Sequence, residues 1–259
     1  MTPGSQALCR GFLLIFALLL PAGSNAAVRV VSLNLCTDQL LVLLAPEKIA
    51  ALSELSRDPT LSFVAAEATR YPQVRASAEA VLALRPDLIL AARFGAQTTV
   101  ALLERHGVPT RRLDLPADFP GIARLTSNAA EALGVPERAA PLIAAMWATL
   151  ATVNRRTDRT TAIAWEPRGY TAGPTSLMGA VIAAAGLTNA AAGQRLGMEA
   201  LLRQPPDVLI VPDTPAFPSL ATGMLDAPAL HAIPRRSLPP ALTICAGPFT
   251  AQAVALLAR

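Results

Sequence analysis

Two stretches of this chain read as the same unit, and that repetition constrains the fold more than any other feature. Residues 77–90 run Ser-Ala-Glu-Ala-Val-Leu-Ala-Leu-Arg-Pro-Asp-Leu-Ile-Leu, and residues 197–210 run Gly-Met-Glu-Ala-Leu-Leu-Arg-Gln-Pro-Pro-Asp-Val-Leu-Ile. Without gaps, Glu79, Ala80, Leu82, Pro86 and Asp87 coincide with Glu199, Ala200, Leu202, Pro206 and Asp207. Each copy reads as a short helix, a proline that stops it, and a buried apolar strand. One such unit in each half predicts two related lobes.

The remaining punctuation fits parallel β-α-β units. Residues 28–33 form a β-branched run that suits a buried strand, followed by a short helix over 39–44, capped by Thr37 or Asp38 and ended by Pro46. Further elements are a strand over 87–92, a helix over 97–106 closed by Gly107, and a short strand over 110–115. After Arg159 the same alternation resumes, with a strand over 161–165 and a helix over 176–185 ended by Gly186.

Between the halves the pattern changes. Residues 122–133 and 137–156 carry helical periodicity with only Gly134-Val135-Pro136 between them. In the second segment Ala140, Ile143, Ala144, Trp147, Leu150 and Ala151 recur at three- and four-residue steps. A helix of 20 residues would span about 30 Å and bridge two lobes.

The first residues stand apart. Residues 11–20 are an apolar run behind Arg10, shorter than the about 20 residues a bilayer span needs. Pro21 and small residues follow, and Ser24 with Ala26 fits a signal peptidase site, which puts the mature start near Ala27. Cys9 precedes the run, so it offers no lipid anchor at the cleavage point. Removing Arg10 leaves 21 basic residues against 18 acidic ones, a net of +3. That is too weak and scattered a charge for nucleic-acid binding. The expected division is a signal peptide over 1–26, an N-terminal α/β lobe over 27–118, a helical linker over 119–157 and a C-terminal α/β lobe over 158–259.

The chain resembles the periplasmic substrate-binding proteins of ABC importers for vitamin B12 and ferric siderophores. Three segments carry the resemblance: Arg-Val-Val-Ser-Leu-Asn-Leu-Cys-Thr-Asp-Gln-Leu-Leu from Arg29, Ala-Glu-Ala-Val-Leu-Ala-Leu-Arg-Pro-Asp-Leu-Ile-Leu from Ala78, and Cys-Ala-Gly-Pro-Phe-Thr from Cys245. The resemblance implies two Rossmann-like α/β lobes with mainly parallel sheets joined by a long rigid helix. It implies a monomer that holds a small molecule between its lobes and delivers it to an inner-membrane ABC permease. The ligand would be a corrinoid or ferric siderophore, with haem or another chelated metal as the alternative, and no resident cofactor or bare metal is expected.

Mapped onto this sequence, the first lobe would offer ligand contacts from Asn34, Leu35, Cys36, Ser56, Arg57, Arg93 and Phe94, and the second from Trp165, Arg168, Tyr170, Thr171 and Phe249. Aromatic faces suit a corrin ring or a catechol, and arginines suit carboxylates or an anionic chelate. The family carries one exposed glutamate on top of each lobe that pairs with permease arginines, and Glu79 and Glu199 match that motif. Cys36 and Cys245, the two cysteines of the expected mature chain, stand as a disulfide across the lobes, as the oxidising compartment favours, as free thiols facing ligand or buried, or as a thiolate pair on a soft metal.

Other functions fit the residues less well. A receptor for bare Zn²⁺ or Mn²⁺ needs a cluster of His and carboxylate ligands. The chain has only His106 and His231, one at a helix end and one in a proline-rich stretch. An exported hydrolase needs a nucleophile with a positioned base. The sequence has no Gly-x-Ser-x-Gly elbow, no phosphate-binding Gly-x-x-x-x-Gly-Lys-Ser loop and no His-Glu-x-x-His pair. A binding protein that only signals to a membrane sensor would leave the paired glutamates without a role.

Overall fold

The computed structural model describes residues 28–153, 159–191, 195–213, 223 and 227–259. The expected signal peptide lies outside the described residues, as does the end of the expected linker at 154–158.

The first half builds a five-stranded sheet. Its strands are β1 (Val30–Ser32), β2 (Ile49–Ser53), β3 (Gln73–Val74), β4 (Leu88–Ala92) and β5 (Thr110–Leu113), in the spatial order β3-β2-β1-β4-β5. Every pairing is parallel. Between the strands run α1 (Leu35–Leu44), α2 (Ala65–Ala68), α3 (Ala78–Ala83) and α4 (Gln97–Arg105). All five residues of β4 are buried, as a strand covered on both faces requires.

The second half repeats the plan with β6 (Thr161–Glu166), β7 (Tyr170–Thr171), β8 (Thr188–Asn189), β9 (Val208–Pro212) and β10 (Arg235–Leu238). The order is β10-β9-β6-β7, with β8 also on β6, and only β7 is antiparallel. The accompanying helices are α7 (Leu177–Ala184), α8 (Met198–Arg203) and, last, α9 (Ala251–Leu257).

The duplicated Pro-Asp has a structural reason beyond stopping a helix. Asp87 accepts the backbone N–H of Arg29 at 3.0 Å through Oδ2 and returns its own N–H to the Arg29 carbonyl at 2.9 Å. This clips the start of β4 to the start of β1. In the second lobe Asp207 Oδ2 accepts the N–H and the hydroxyl of Thr161, each at 2.7 Å, at the start of β6. One carboxylate per lobe therefore pins the register of the two central strands. Arg29 adds a second tie, donating to the carbonyl of Leu84 at the end of α3 at 2.8 Å.

Helix ends follow local chemistry. Ser77 and Ser176 accept the N–H groups of Ala80 (3.3 Å) and Gly179 (3.0 Å) as N-caps, and Gly107 and Gly186 close their helices with φ of 78°. The first helix departs from expectation. Asn34, not Thr37 or Asp38, is its cap, accepting the Cys36 N–H at 2.9 Å, so α1 begins four residues before Gln39. Asn is as good a cap as Asp, and the apolar run simply reaches further back than its periodicity announces.

The linker is α5 (Phe119–Ala132), capped by Asp118, and α6 (Ala139–Ala151). At 13 residues α6 is about 20 Å long, shorter than the expected rod over 137–156. Residues 136–138 form a 3-10 turn instead, because Pro136 lacks an N–H and sits where a new turn starts. The lobes also pack on one another directly. A single apolar cluster runs from Leu40 and Leu41 of α1, through Ile122 and Met146 of α5 and α6, to Val181, Ile182 and Val254 of α7 and α9. The two halves share a core along their back, while each sheet keeps a smaller cluster on its outer face. No helix among the described residues is long and apolar enough to cross a membrane.

Candidate functional site

In parallel α/β sheets, ligands bind beyond the carboxyl ends of the strands. Here those ends are brought together from both lobes. Cys36, in the first turn of α1 just past β1, is disulfide-bonded to Cys245, in the loop beyond β10, with Cα atoms 5.1 Å apart. Beside it Phe63 of the first lobe stacks on Phe249 of the second, with ring centroids 4.6 Å apart and planes 13° from parallel. The segment Cys-Ala-Gly-Pro-Phe-Thr folds tightly to do this: a Cβ on Gly247 would fall 2.2 Å from the Phe249 ring, so only glycine fits. Thr250, fully buried, accepts the Gly247 N–H at 3.3 Å and fixes the turn.

This seam divides the expected ligand contacts into two sets. Leu35, Cys36, Ser56, Trp165, Thr171 and Phe249 are all buried, so they support the site and do not present a surface to ligand. Trp165 has no exposed surface at all. Its indole N–H donates to the Leu196 carbonyl at 3.0 Å, which satisfies the one polar atom of the ring and lets it join the core of the second lobe. Phe249 is occupied by Phe63, and Cys36 by Cys245.

The second set is accessible. On the first lobe Phe94, just past β4, is 73% exposed, and Asn34 reaches toward its carbonyl. Arg93 and Arg57 are exposed, but each is engaged: Arg93 with the Asp114 carboxylate, Arg57 with the Tyr71 carbonyl at 2.6 Å. The hydrogen bond with Asp114 raises the Arg93 pKa, and the Arg93 guanidinium in turn holds the Asp114 carboxyl low. On the second lobe Arg168 and Tyr170 are exposed.

Sequence reasoning passed over three groups. Leu55, in the turn after β2, and Ile244, next to Cys245, come one from each lobe and are about half exposed. Their sequence neighbours Ser56 and Cys245 carry the signal that points to these loops. The third is Arg195, which forms a bridge to Tyr170 and lays its guanidinium 5.3 Å from the ring centroid. Nothing in its local sequence marks it; the fold brings it there.

One buried acid anchors the first lobe's share of the site. Asp38, with no exposed surface, accepts the Ser53 N–H at 3.0 Å and the Ser53 hydroxyl, fixing the end of β2 and the turn that carries Leu55, Ser56 and Arg57. Burial pushes its carboxyl up to about 6, against the opposing pull of hydrogen bonds from Ser32 and Ser53. Gln73 braces the same turn, donating to the Glu54 carbonyl at 2.9 Å. Glu79 and Glu199 lie away from the seam, each exposed in the first turn of its helix, at matching places in the two lobes. No group of three or more His, Cys, Asp or Glu suited to a metal ion exists among the described residues.

Residues 30–230 match the family model for periplasmic binding proteins. A cobalamin-binding protein of Halobacterium salinarum is 32% identical over 146 residues, which is 51% of this chain and 39% of that protein, so the match spans well under half of the relative. The periplasmic heme-binding protein RhuT from Roseiflexus sp. RS-1 superposes with a TM-score of 0.73 at 25% identity, covering 89% of this chain and 97% of that one. The periplasmic vitamin B12 binding protein BtuF of Vibrio cholerae has the same fold, with a TM-score of 0.66 at 17% identity over 90% of this chain and 96% of that one. With strand-end loops of two parallel sheets facing across a common seam and a family match over most of its length, the chain belongs to the periplasmic binding protein family.

Proposed function

We propose that this protein is the solute-binding component of an ABC importer, capturing a corrinoid or ferric siderophore between its lobes and delivering it to an inner-membrane permease. The observation that carries the reading is the seam. The Cys36–Cys245 bond joins strand-end loops of two separate sheets, and the exposed residues on such loops include Phe94 and Leu55 in the first lobe and Tyr170, Ile244 and Arg168 in the second. Exposed apolar and aromatic side chains grouped over a fixed floor suit a large planar or chelated guest. Export through the signal at residues 1–26 would put the protein in the periplasm, where it works as a monomer and not as an enzyme. The lobes correspond to residues 27–118 and 158–259, with 119–157 between them.

Delivery rests on Glu79 and Glu199. Each is exposed on a short helix that a Pro-Asp unit ties to the central strands, so two carboxylates stand at equivalent points, one per lobe. A permease with two arginines would meet both at once.

Haem is the second reading, favoured by the 97% coverage and 25% identity of the Roseiflexus heme-binding protein. Visible absorbance titration with cobalamin, haem and ferric siderophores separates the readings, because each ligand has its own spectrum and each bound form shifts it. Saturable binding of one at micromolar or tighter affinity supports the assignment. Binding of none of them overturns it.

A further inference from the structure

The arginines near the seam differ in how their charge is used. In the first lobe, Arg93 is neutralised by Asp114 and Arg57 is spent on the Tyr71 carbonyl. In the second lobe, no carboxylate lies within ion-pair distance of Arg168 or Arg195 among the described residues. Arg57 keeps its charge beside a neutral carbonyl, whereas the two arginines with neither an acid nor a carbonyl engaging them, Arg168 and Arg195, share one wall of the second lobe.

That wall is a built platform. Two successive left-handed residues, Arg168 (φ 65°) and Gly169 (φ 75°), reverse the chain between β6 and β7. The reversal is locked from below: the Leu196 N–H donates to the Gly169 carbonyl at 2.8 Å, and the Leu196 carbonyl takes the Trp165 indole proton. A side chain at Gly169 would strike the Leu196 carbonyl at 2.6 Å. Non-glycine residues seldom hold a positive φ, and such positions gather at binding sites. The result is a half-exposed Tyr170 ring with Arg195 over it and Arg168 two residues away, all at the carboxyl end of β6.

Glu166, opposite Tyr170 in the β6–β7 pair, is the acid in this hairpin. It is exposed and forms no ion pair with Arg168 or Arg195, and its partial burial raises its carboxyl pKa.

We infer that Arg168, Arg195 and Tyr170 form an anion-recognition platform that seats a carboxylate or phosphodiester substituent of the ligand and so fixes which way round it lies in the site. Guanidinium groups grip such oxyanions bidentately, and the ring gives the adjoining apolar portion a flat rest. The inference rests on the receptor reading and deepens it, since it predicts an anionic guest held asymmetrically, with its charged edge toward the second lobe.

The test uses ligands paired by charge: cobalamin with cobinamide, which lacks the phosphate-bearing loop; haem with its dimethyl ester; a ferric tris-catecholate with a neutral ferric tris-hydroxamate. Wild type should bind the member that carries the anionic group, in whichever pair it accepts, more tightly by roughly tenfold or more, the scale of a charge-assisted hydrogen bond. The Arg168→Ala/Arg195→Ala variant should lose that preference, its affinity falling more for the member with the anionic group than for the other, and Arg195→Lys should keep part of the preference. Because both arginines are on the surface, circular dichroism melts of the variants should match wild type. If the wild type takes both members of a pair equally, or the double variant keeps the preference, the platform is refuted while the receptor reading stands. If the wild type binds no member of any pair, the receptor reading falls and the platform with it.

Discussion

Phe63 and Phe249 belong to different lobes and lie face to face 4.6 Å apart, next to the Cys36–Cys245 bond, so the floor of the site is a single packed and cross-linked unit. Replacing Phe249 with Ala removes a buried ring from that floor. The expected cost is about 3–5 kcal/mol, read as a lower urea midpoint at unchanged slope. Gly247→Ala should act in the same direction, since the new methyl would displace the Phe249 ring.

The disulfide closes a loop of 209 residues. In the chain-entropy picture so long a loop contributes about 5 kcal/mol through the unfolded state. Cys36→Ser/Cys245→Ser, or reductant added to wild type, should lower stability by up to that amount. Thiol labelling of the unreduced, denatured mature protein should find no free thiol.

Asp38 makes stability depend on pH in a stated direction. Its folded carboxyl is raised from 3.8 to about 6, so between those values the native state binds a proton that the unfolded chain does not. The stability this gives is complete below about 4 and is lost as pH rises through 6, on the order of 3 kcal/mol in all. Asp38→Asn cannot ionise, so this component should vanish from its profile. Urea midpoints measured at pH 4.5 and 7.5 should therefore differ less for the variant than for wild type, and an unchanged difference would place the buried proton elsewhere.

Charge reversal at Glu79 and Glu199 together should abolish uptake in cells while leaving ligand affinity in solution intact. Each glutamate is exposed, so neither substitution should lower the melting temperature by more than a degree or two. Undiminished transport by the double variant would refute the docking role.

A shared core and a cross-linked floor leave little room for lobe motion. Small-angle scattering should show a radius of gyration that is nearly unchanged on ligand addition.

The repeat made the two-sheet plan legible because Pro-Asp has one job in each lobe, as the Asp87 and Asp207 contacts make plain. Strands of two or three residues were harder to read. β3 and β8 are too short for periodicity to register, and β2 alternates weakly because Ala50 and Ala51 carry little hydrophobic signal. At the site, residue type pointed to the right loops but not to which side chains face out. Trp165 and Tyr170 are five residues apart on one hairpin, yet one is core and the other half exposed, since Leu196 and Arg195 come from a distant segment to cover the first and flank the second. Such pairings are set by tertiary packing, which no local pattern encodes.

The sulfur bridge also decides how a guest travels. Jaws riveted at their base cannot be thrown wide, so on the proposed function a guest above Cys36 and Cys245 would enter and depart past the outer loops. On the proposed function, a transporter would empty this protein by moving its outer loops, with the Cys36–Cys245 link left in place.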